Sequence, residues 1–272
     1  MRTLLFRICY YIVSVFFCLT ALPLILLPGR RLLVRWLRHY AFTMTHLMRI
    51  ICGIHLDIRG RHDIPKGGAI IAAKHQSWGD GFATFAQFED LAFVTGDHLA
   101  KVFGVGWILR KMEAIVVDNC GGATARERLV DEELARAREN SRRILIYPEG
   151  KLCPVGYHFR YRRGIYHMYQ AYQCPVVPVA TNLGLYWPMD VWDLRPGKAV
   201  VEFLEPIPPG LDKEPFMKLL EERIETASIA LLPPHVPLPD DRVLPDDADV
   251  YTYPMPGPEP TSSATAAQPA NQ

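Results

Sequence analysis

The stretch that decides the fold is Ala69-Ile70-Ile71-Ala72-Ala73, followed one residue later by His75-Gln76-Ser77-Trp78-Gly79-Asp80. The first five residues form a continuous apolar run, which is typical of a parallel strand covered on both faces of its sheet. Ligands of open α/β sheets collect at the carboxyl ends of such strands. A carboxylate that holds an imidazole ring in one tautomer makes the ring a general base. His75 and Asp80 are therefore candidate catalytic residues.

Strand-like and helix-like segments alternate on both sides of this stretch. The predicted strands cover residues 55–59, 69–73, 91–94, 114–117, 143–147, 176–181 and 198–203. The predicted helices cover residues 81–88, 101–111, 124–140, 166–172 and 214–230. This alternation predicts an α/β domain over residues 53–234, in which a mostly parallel central sheet is flanked by helices.

The N-terminal 52 residues differ from the rest in charge and hydropathy. Residues 8–27 carry no charge, and about 20 such residues can cross the hydrocarbon layer of a membrane. Four arginines follow this run: Arg30, Arg31, Arg35 and Arg38. Their position predicts a cytoplasmic membrane protein whose main domain faces the cytoplasm. Residues 1–52 are thus predicted to be membrane-associated helices, with a full span, an interfacial or re-entrant helix and a buried core helix as alternatives.

Residues 30–51 are typical of a basic amphipathic helix, because aromatic side chains alternate there with arginines. Such a helix suits a bilayer surface with anionic lipids, and it equally suits packing on the main domain. The other end of the chain is different. From residue 233 onward Pro, Asp, Ala and Ser dominate, and residues 235–272 are predicted to form a disordered tail.

Composition argues against several classes of ligand. The formal net charge is +1, which does not indicate general affinity for nucleic acid. The six cysteines show neither C-x-x-C pairing nor zinc-like spacing with histidine. Neither a phosphate-binding loop motif nor a dinucleotide-binding glycine motif occurs, so no metal and no resident cofactor is expected.

Four blocks of sequence, taken in order, resemble the PlsC-type glycerolipid acyltransferase family, which is typified by lysophosphatidic acid acyltransferase. They are His75–Asp80, which matches the H-x4-D motif, Ala114–Asn119, Tyr147-Pro148-Glu149-Gly150, and Pro175–Ala180. The resemblance covers roughly residues 58–187. It implies a membrane-bound O-acyltransferase of phospholipid biosynthesis whose partners are membrane lipids and an acyl thioester donor, either acyl-CoA or acyl carrier protein.

In the implied reaction a fatty acyl group passes from the thioester to the hydroxyl of a lysophosphatidate-like lyso-lipid. His75 acts as general base on that hydroxyl, and Asp80 orients the imidazole. A thioester is reactive enough that no covalent enzyme intermediate is required. The chain also lacks a G-x-S-x-G motif, which would indicate a serine nucleophile.

The resemblance also implies acceptor-binding residues, and here the chain departs from the family pattern. Asn119 stands where the family has arginine, and Gly150 is followed by Lys151 and Leu152 where the family has threonine and arginine. Leucine does not replace a bidentate guanidinium. The predicted acceptor-binding residues are Glu149, Gly150, Lys151, Asn119 and Arg162, with Arg160 and Arg163 as further candidates.

These departures keep other functions open. The acceptor can be another lyso-lipid, such as a lyso-ornithine lipid or a lysophospholipid. A membrane lipid-binding protein that has lost catalysis is an alternative from a different class, and a hydrolase or thioesterase is a third.

Overall fold

The computed structural model describes residues 1–117, 123–189 and 194–253, with the backbone alone for residues 123–130. Its strands are β1 (Ile54–Arg59), β2 (Ala69–Ala73), β3 (Leu91–Gly96), β4 (Ile115–Val117), β5 (Arg143–Ile146), β6 (His158–Phe159), β7 (Val176–Thr181), β8 (Gly197–Phe203) and β9 (Val243–Leu244). Its α-helices are α1 (Arg2–Ala21), α2 (Arg31–Leu47), α3 (Gly79–Phe85), α4 (Asp97–Ala100), α5 (Val105–Lys111), α6 (Ala123–Glu139), α7 (Gly164–Tyr172) and α8 (Lys213–Ala230).

Among the described residues, seven strands form the central sheet, in the order β1-β8-β7-β2-β5-β3-β4. Neighbouring strands are parallel except β7 and β8, which are antiparallel. The five strands from β7 to β4 therefore share one carboxyl edge, while β1 and β8 run the opposite way. This arrangement confirms the predicted mostly parallel sheet, and it brings the segments that follow β2 and β5 to the same edge.

Strand β2 lies at the centre of the sheet, between β5 and β7, and all five of its residues are buried. Its side chains alternate between two apolar layers. Ala69, Ile71 and Ala73 pack in the layer that includes residues of α1, α2, α3 and α5. Ile70 and Ala72 pack in the layer that includes residues of α6, α7 and α8. Two-sided burial explains why this strand reads as a continuous apolar run instead of an alternating one.

The first helix ends where a proline follows. Helix α1 stops at Ala21, and Pro23–Leu26 continues as one turn of 3₁₀ helix, since an interior proline removes a backbone donor. One face of α1 is packed: the ring centroids of Phe6 and Trp187 are 5.2 Å apart, and those of Phe17 and Trp36 are 4.8 Å apart. Much of the rest of α1 is exposed and apolar. In the described ranges, Arg2–Leu26 is the one segment long and apolar enough to cross a membrane.

Two predicted boundaries need correction. The helix predicted over residues 101–111 begins later: α5 covers Val105–Lys111, residues 101–104 form a turn, and α4 ends before that turn at Ala100. Gly104 stands immediately before α5, and its φ of 78° is a left-handed conformation that favours glycine and lies outside a helix.

The predicted tail begins too early. Residues 235–253 lie on the domain: β9 pairs with β6, and Leu244 is buried beside Cys153 and Phe159. Composition missed this segment because a few separated apolar residues produce no periodic pattern. Residues 254–272 lie outside the described ranges.

Candidate active site

His75 and Asp80 are in contact at the carboxyl end of β2. The Nδ1 atom of His75 lies 3.2 Å from Oδ2 of Asp80, which stands in the first turn of α3. The same carboxylate oxygen accepts hydrogen bonds from the backbone N–H groups of Gln76 and Ser77, each at 2.7 Å. Asp80 is 2% exposed. The turn between strand and helix therefore holds the carboxylate in a fixed position, and the carboxylate holds the imidazole.

A second contact fixes the plane of the imidazole ring. The ring of Tyr147, which follows β5, stacks on His75 with centroids 3.8 Å apart and an interplanar angle of 15°. Burial, and secondly the charge of Asp80, raises the pKa of Tyr147 well above its ordinary value. The phenol therefore stays neutral and serves as a flat support for the imidazole.

One nitrogen of His75 remains available. Its side chain is 21% exposed, and Nε2 forms no hydrogen bond to any residue that the structure describes. When Nδ1–H donates to Asp80, the lone pair of Nε2 faces outward as a base. The pair can then remove a proton from a hydroxyl group placed next to Nε2, and the buried carboxylate stabilises the imidazolium that results.

A buried ion network lies directly behind this pair. The ammonium of Lys74 donates to Oε1 of Glu149 at 2.8 Å and to Oε1 of Glu225 at 2.9 Å. It also donates to the backbone carbonyl of Tyr157 at 2.9 Å. Burial opposes the charge of Lys74, but the carboxylates of Glu149 and Glu225 outweigh burial and raise the pKa of its ammonium.

Glu149 belongs to this network, and its contacts are with the protein. It is 0% exposed. Its Oε1 accepts from the backbone N–H of Phe159 at 3.1 Å, and its Oε2 accepts from the backbone N–H of His75 at 3.4 Å. The expected direct contact between Glu149 and an acceptor does not fit this burial. The carboxylate instead holds the backbone of His75, since both of its oxygens are engaged with buried donors.

The predicted cations lie further along the same segment. Gly150 adopts a left-handed conformation with φ of 75°, and a Cβ at this position would contact Arg162 at 3.4 Å. The ammonium of Lys151 donates to the backbone carbonyl of Asp246 at 2.6 Å, and Nη1 of Arg162 lies 3.0 Å from Oδ2 of the same Asp246. Arg160 and Arg163 are exposed. Asn119 lies outside the described residues, so its assignment to acceptor binding stays a prediction.

Sequence reasoning missed Lys74, Glu225 and Asp246. Lys74 gave a signal, because a lysine between an apolar strand and a candidate base needs a buried partner. Glu225 gave none, since it stands in a charged helix, 151 residues from its partner Lys74. In the described parts of the chain, no group of three or more His, Cys, Asp or Glu side chains is arranged to hold a metal ion.

The segment that carries His75, Asp80 and Glu149 matches a family model. Residues 55–182 fit the family model described as Acyltransferase. A 1-acyl-sn-glycerol-3-phosphate acyltransferase of Pseudomonas aeruginosa is 32% identical over 155 residues, which are 56% of this chain and 58% of the relative. The protein of the same name from Saccharomyces cerevisiae is 25% identical over 189 residues, which are 65% of this chain and 61% of the relative. The matched part is thus about three fifths of each relative's length.

A solved structure has the same fold. The crystal structure of the 1-acyl-sn-glycerophosphate (LPA) acyltransferase PlsC from Thermotoga maritima superposes with a TM-score of 0.66. Its identity to this chain is 22%, and the match covers 85% of this chain and 98% of that one. This likeness shows the α/β fold, and residues 55–182 match the Acyltransferase family model. Together with the two relatives, these matches support the PlsC-type family that the four sequence blocks resemble.

Proposed function

We propose that this chain transfers a fatty acyl group from an acyl thioester to the hydroxyl of a lysophosphatidate-like lyso-lipid at a membrane surface. The observation that carries the proposal is the contact of His75 with buried Asp80, which leaves Nε2 of the imidazole open to a reacting hydroxyl. The names of the two relatives and of the Thermotoga protein support a lysophosphatidate acceptor. Either acyl-CoA or acyl carrier protein fits as donor.

The proposed steps need one base and no covalent enzyme intermediate. Nε2 of His75 takes the proton of the acceptor hydroxyl while the hydroxyl oxygen attacks the carbonyl carbon of the thioester. The tetrahedral intermediate collapses by breaking its C–S bond. The departing thiolate takes the proton from the imidazolium, which returns His75 to its neutral form. Ser77 is fully buried, and its Oγ accepts from the backbone N–H of Gly79 at 2.9 Å, which supports a structural role for this hydroxyl.

We test the function by offering one radiolabelled acyl thioester together with a panel of lyso-lipids. The panel contains lysophosphatidate, lysophosphatidylethanolamine and a lyso-ornithine lipid, and the wild-type protein is assayed in mixed micelles. We expect label to enter the diacyl product of lysophosphatidate. Label confined to another diacyl lipid would identify a different acceptor for the same reaction.

Two outcomes would contradict acyl transfer. Release of labelled fatty acid without any lipid product would indicate the thioesterase alternative. Binding of lyso-lipids to vesicle-bound protein without any turnover would indicate the lipid-binding alternative.

Membrane association is part of the proposal, and the packing of α1 supports an interfacial position for this helix. Ser14 Oγ and Tyr40 OH are 2.7 Å apart, and Trp36 Nε1 donates to Thr20 Oγ1 at 3.1 Å, so α1 and α2 form a tight hairpin. The N-terminal part of α1 also packs on the α/β domain. A helix that crosses the bilayer alone would lose these contacts.

The exposed apolar surface extends from α1 to the loop between α4 and α5. Phe103 is 82% exposed, and its ring centroid lies 5.3 Å from that of the half-exposed Trp107. Gly104, next to Phe103, adjoins the side chain of Leu22. Aromatic side chains at a membrane interface place an apolar ring among lipid tails. Of the flanking arginines, Arg30 is paired with Asp90 and Glu113, whereas Arg31 and Arg35 are exposed and can contact anionic lipid.

Replacing both Phe103 and Trp107 with serine should weaken binding to anionic phospholipid vesicles about tenfold. The reason is that each ring would leave part of its apolar surface in water, at a combined cost of roughly 1.5 kcal/mol. Vesicle co-sedimentation measures the effect. The matched control is Tyr251→Ser, which removes a 70% exposed aromatic ring outside this surface and should leave binding unchanged. Equal binding by the double variant and the wild-type protein would exclude this loop from the membrane contact.

A further inference from the structure

The C-terminal strap, defined here as residues 242–253, is fixed on residues 150–162, the segment that follows β5 and Tyr147. Strand β9 pairs with β6, and the backbone N–H of His158 donates to the carbonyl of Arg242 at 2.9 Å. Nε of Arg242 donates to the carbonyl of Gly156 at 2.8 Å. Leu244 fills a buried cluster, and Tyr253 packs on Tyr157. The strap therefore has a defined position over residues 150–162.

Asp246 of the strap contacts two cations of that segment. Its carboxylate pairs with Arg162 at 3.0 Å, and its carbonyl accepts from Lys151 at 2.6 Å. Both cations belong to the segment that follows Tyr147, whose ring supports the imidazole of His75. The backbone N–H of Arg162 donates to the carbonyl of Pro148 at 2.8 Å, next to the Tyr147 ring that stacks on His75. Asp246 thus engages two cations of the segment that follows Tyr147 and Glu149.

The charge of this arrangement is unfavourable for a phosphate monoester. A monoester carries about −1.5 to −2 charges near neutral pH, and it is held by cations with free donors. Here one ion pair and one carbonyl contact already engage Arg162 and Lys151. The strap carries three carboxylates, Asp246, Asp247 and Asp249, and one arginine, Arg242, whose guanidinium donates to the carbonyl of Gly156. A phosphodiester headgroup has a single negative charge and meets a smaller penalty.

We propose that Asp246 is a specificity-determining residue of the acceptor site, which lowers affinity for phosphate monoester headgroups relative to phosphodiester headgroups. This inference rests on the proposed function, because it assumes that Lys151 and Arg162 face the acceptor headgroup. Asp246 acts through these two cations, so it changes the binding of the acceptor and leaves the proton transfer at His75 unaltered.

The test compares Asp246→Asn with the wild-type full-length protein in mixed micelles, using one acyl thioester and two acceptors. Lysophosphatidate is the monoester, and lysophosphatidylethanolamine is the diester. We expect KM for lysophosphatidate to fall about 3- to 5-fold, the upper part of the range of a freed surface ion pair. KM for lysophosphatidylethanolamine and kcat for both acceptors should stay within about twofold of wild type, since the cations are freed without change at the base.

Three further variants decide between this role and simpler ones. Asp247→Asn is the matched control, because Asp247 carries the same charge next to Asp246 and forms no ion pair with the described residues. Asp246→Glu keeps the charge and should keep the wild-type ratio of the two KM values. Asp246→Ser also removes the charge, so it should show the same change in the KM ratio as Asp246→Asn. It serves as the second test if the asparagine variant folds poorly.

The outcomes are distinct. An unchanged KM ratio in folded Asp246→Asn and Asp246→Ser would overturn the inference while leaving the proposed function intact. An equal change in Asp247→Asn would also overturn it, because the effect would then be one of general surface charge. No transfer to either acceptor by the wild-type protein would overturn the proposed function, and this inference with it.

Discussion

His75→Ala is expected to lower kcat for acyl transfer by about 10²- to 10⁴-fold, the range that a general base contributes. The lost group is the one whose Nδ1 contacts Asp80 at 3.2 Å and whose Nε2 is free. KM for the acceptor should change little, because the imidazole acts on the hydroxyl in the transition state. Initial rates with a radiolabelled thioester at saturating acceptor measure the effect. The variant should fold, since the buried network contacts the backbone of His75 and not its ring.

The chain offers a matched control for this variant. His167 and Asp131 form a second histidine–aspartate pair, with Nε2 and Oδ1 2.8 Å apart on the surface. His167→Ala removes the same type of contact and should keep wild-type activity. More than a tenth of wild-type kcat in folded His75→Ala, or an equal loss in His167→Ala, would remove His75 from the mechanism.

The local parts of the fold and the site were accessible from sequence because they depend on neighbours in the chain. Strands β2 and β7 were predicted with the bounds that the structure has, since two-sided burial leaves an uninterrupted apolar run. His75 and Asp80 are five positions apart, so one strand-to-helix turn is enough to bring them together. The helix predicted over residues 101–111 begins only at Val105, because the left-handed conformation of Gly104 interrupts the helical pattern before it.

Contacts between distant segments could not be predicted in the same way. Glu225 reaches Lys74 across 151 residues, and Asp246 reaches Lys151 across 95. Nothing in the local pattern of α8 or of the strap distinguishes these acids from solvated ones. The sheet order decides which carboxylate turns inward, and that order follows from the packing of the whole domain. Glu149 illustrates the consequence, since the family motif suggested a ligand contact while the packing places it in the buried network.

The second large expected effect is a loss of stability when the buried ion network of Lys74, Glu149 and Glu225 is broken. Lys74→Met should lower the free energy of unfolding by about 3–5 kcal/mol, because removal of one partner leaves uncompensated buried charge. Glu149 and Glu225 are both buried, and Lys74 is the cation that contacts the two of them at 2.8 and 2.9 Å. Urea unfolding in mild detergent, followed by tryptophan fluorescence, measures the loss. Lys101→Met is the control, since its partner Asp97 forms a surface pair worth at most about 1 kcal/mol.

The loss of stability in Lys74→Met should also depend on pH, and the direction of this dependence follows from the buried carboxylates. Burial raises the pKa of Glu149, and Lys74 is the main influence that lowers it. Without the ammonium, the carboxyl pKa in the folded state rises further above its unfolded value. A raised folded-state pKa adds stability below the unfolded pKa, and this stability is lost as pH rises through the folded-state pKa. The variant should therefore be closest to wild type in mild acid and furthest from it at alkaline pH. A loss below about 1 kcal/mol at pH 8, equal to that of the surface control, would contradict an ion network that holds the backbone of His75 in place.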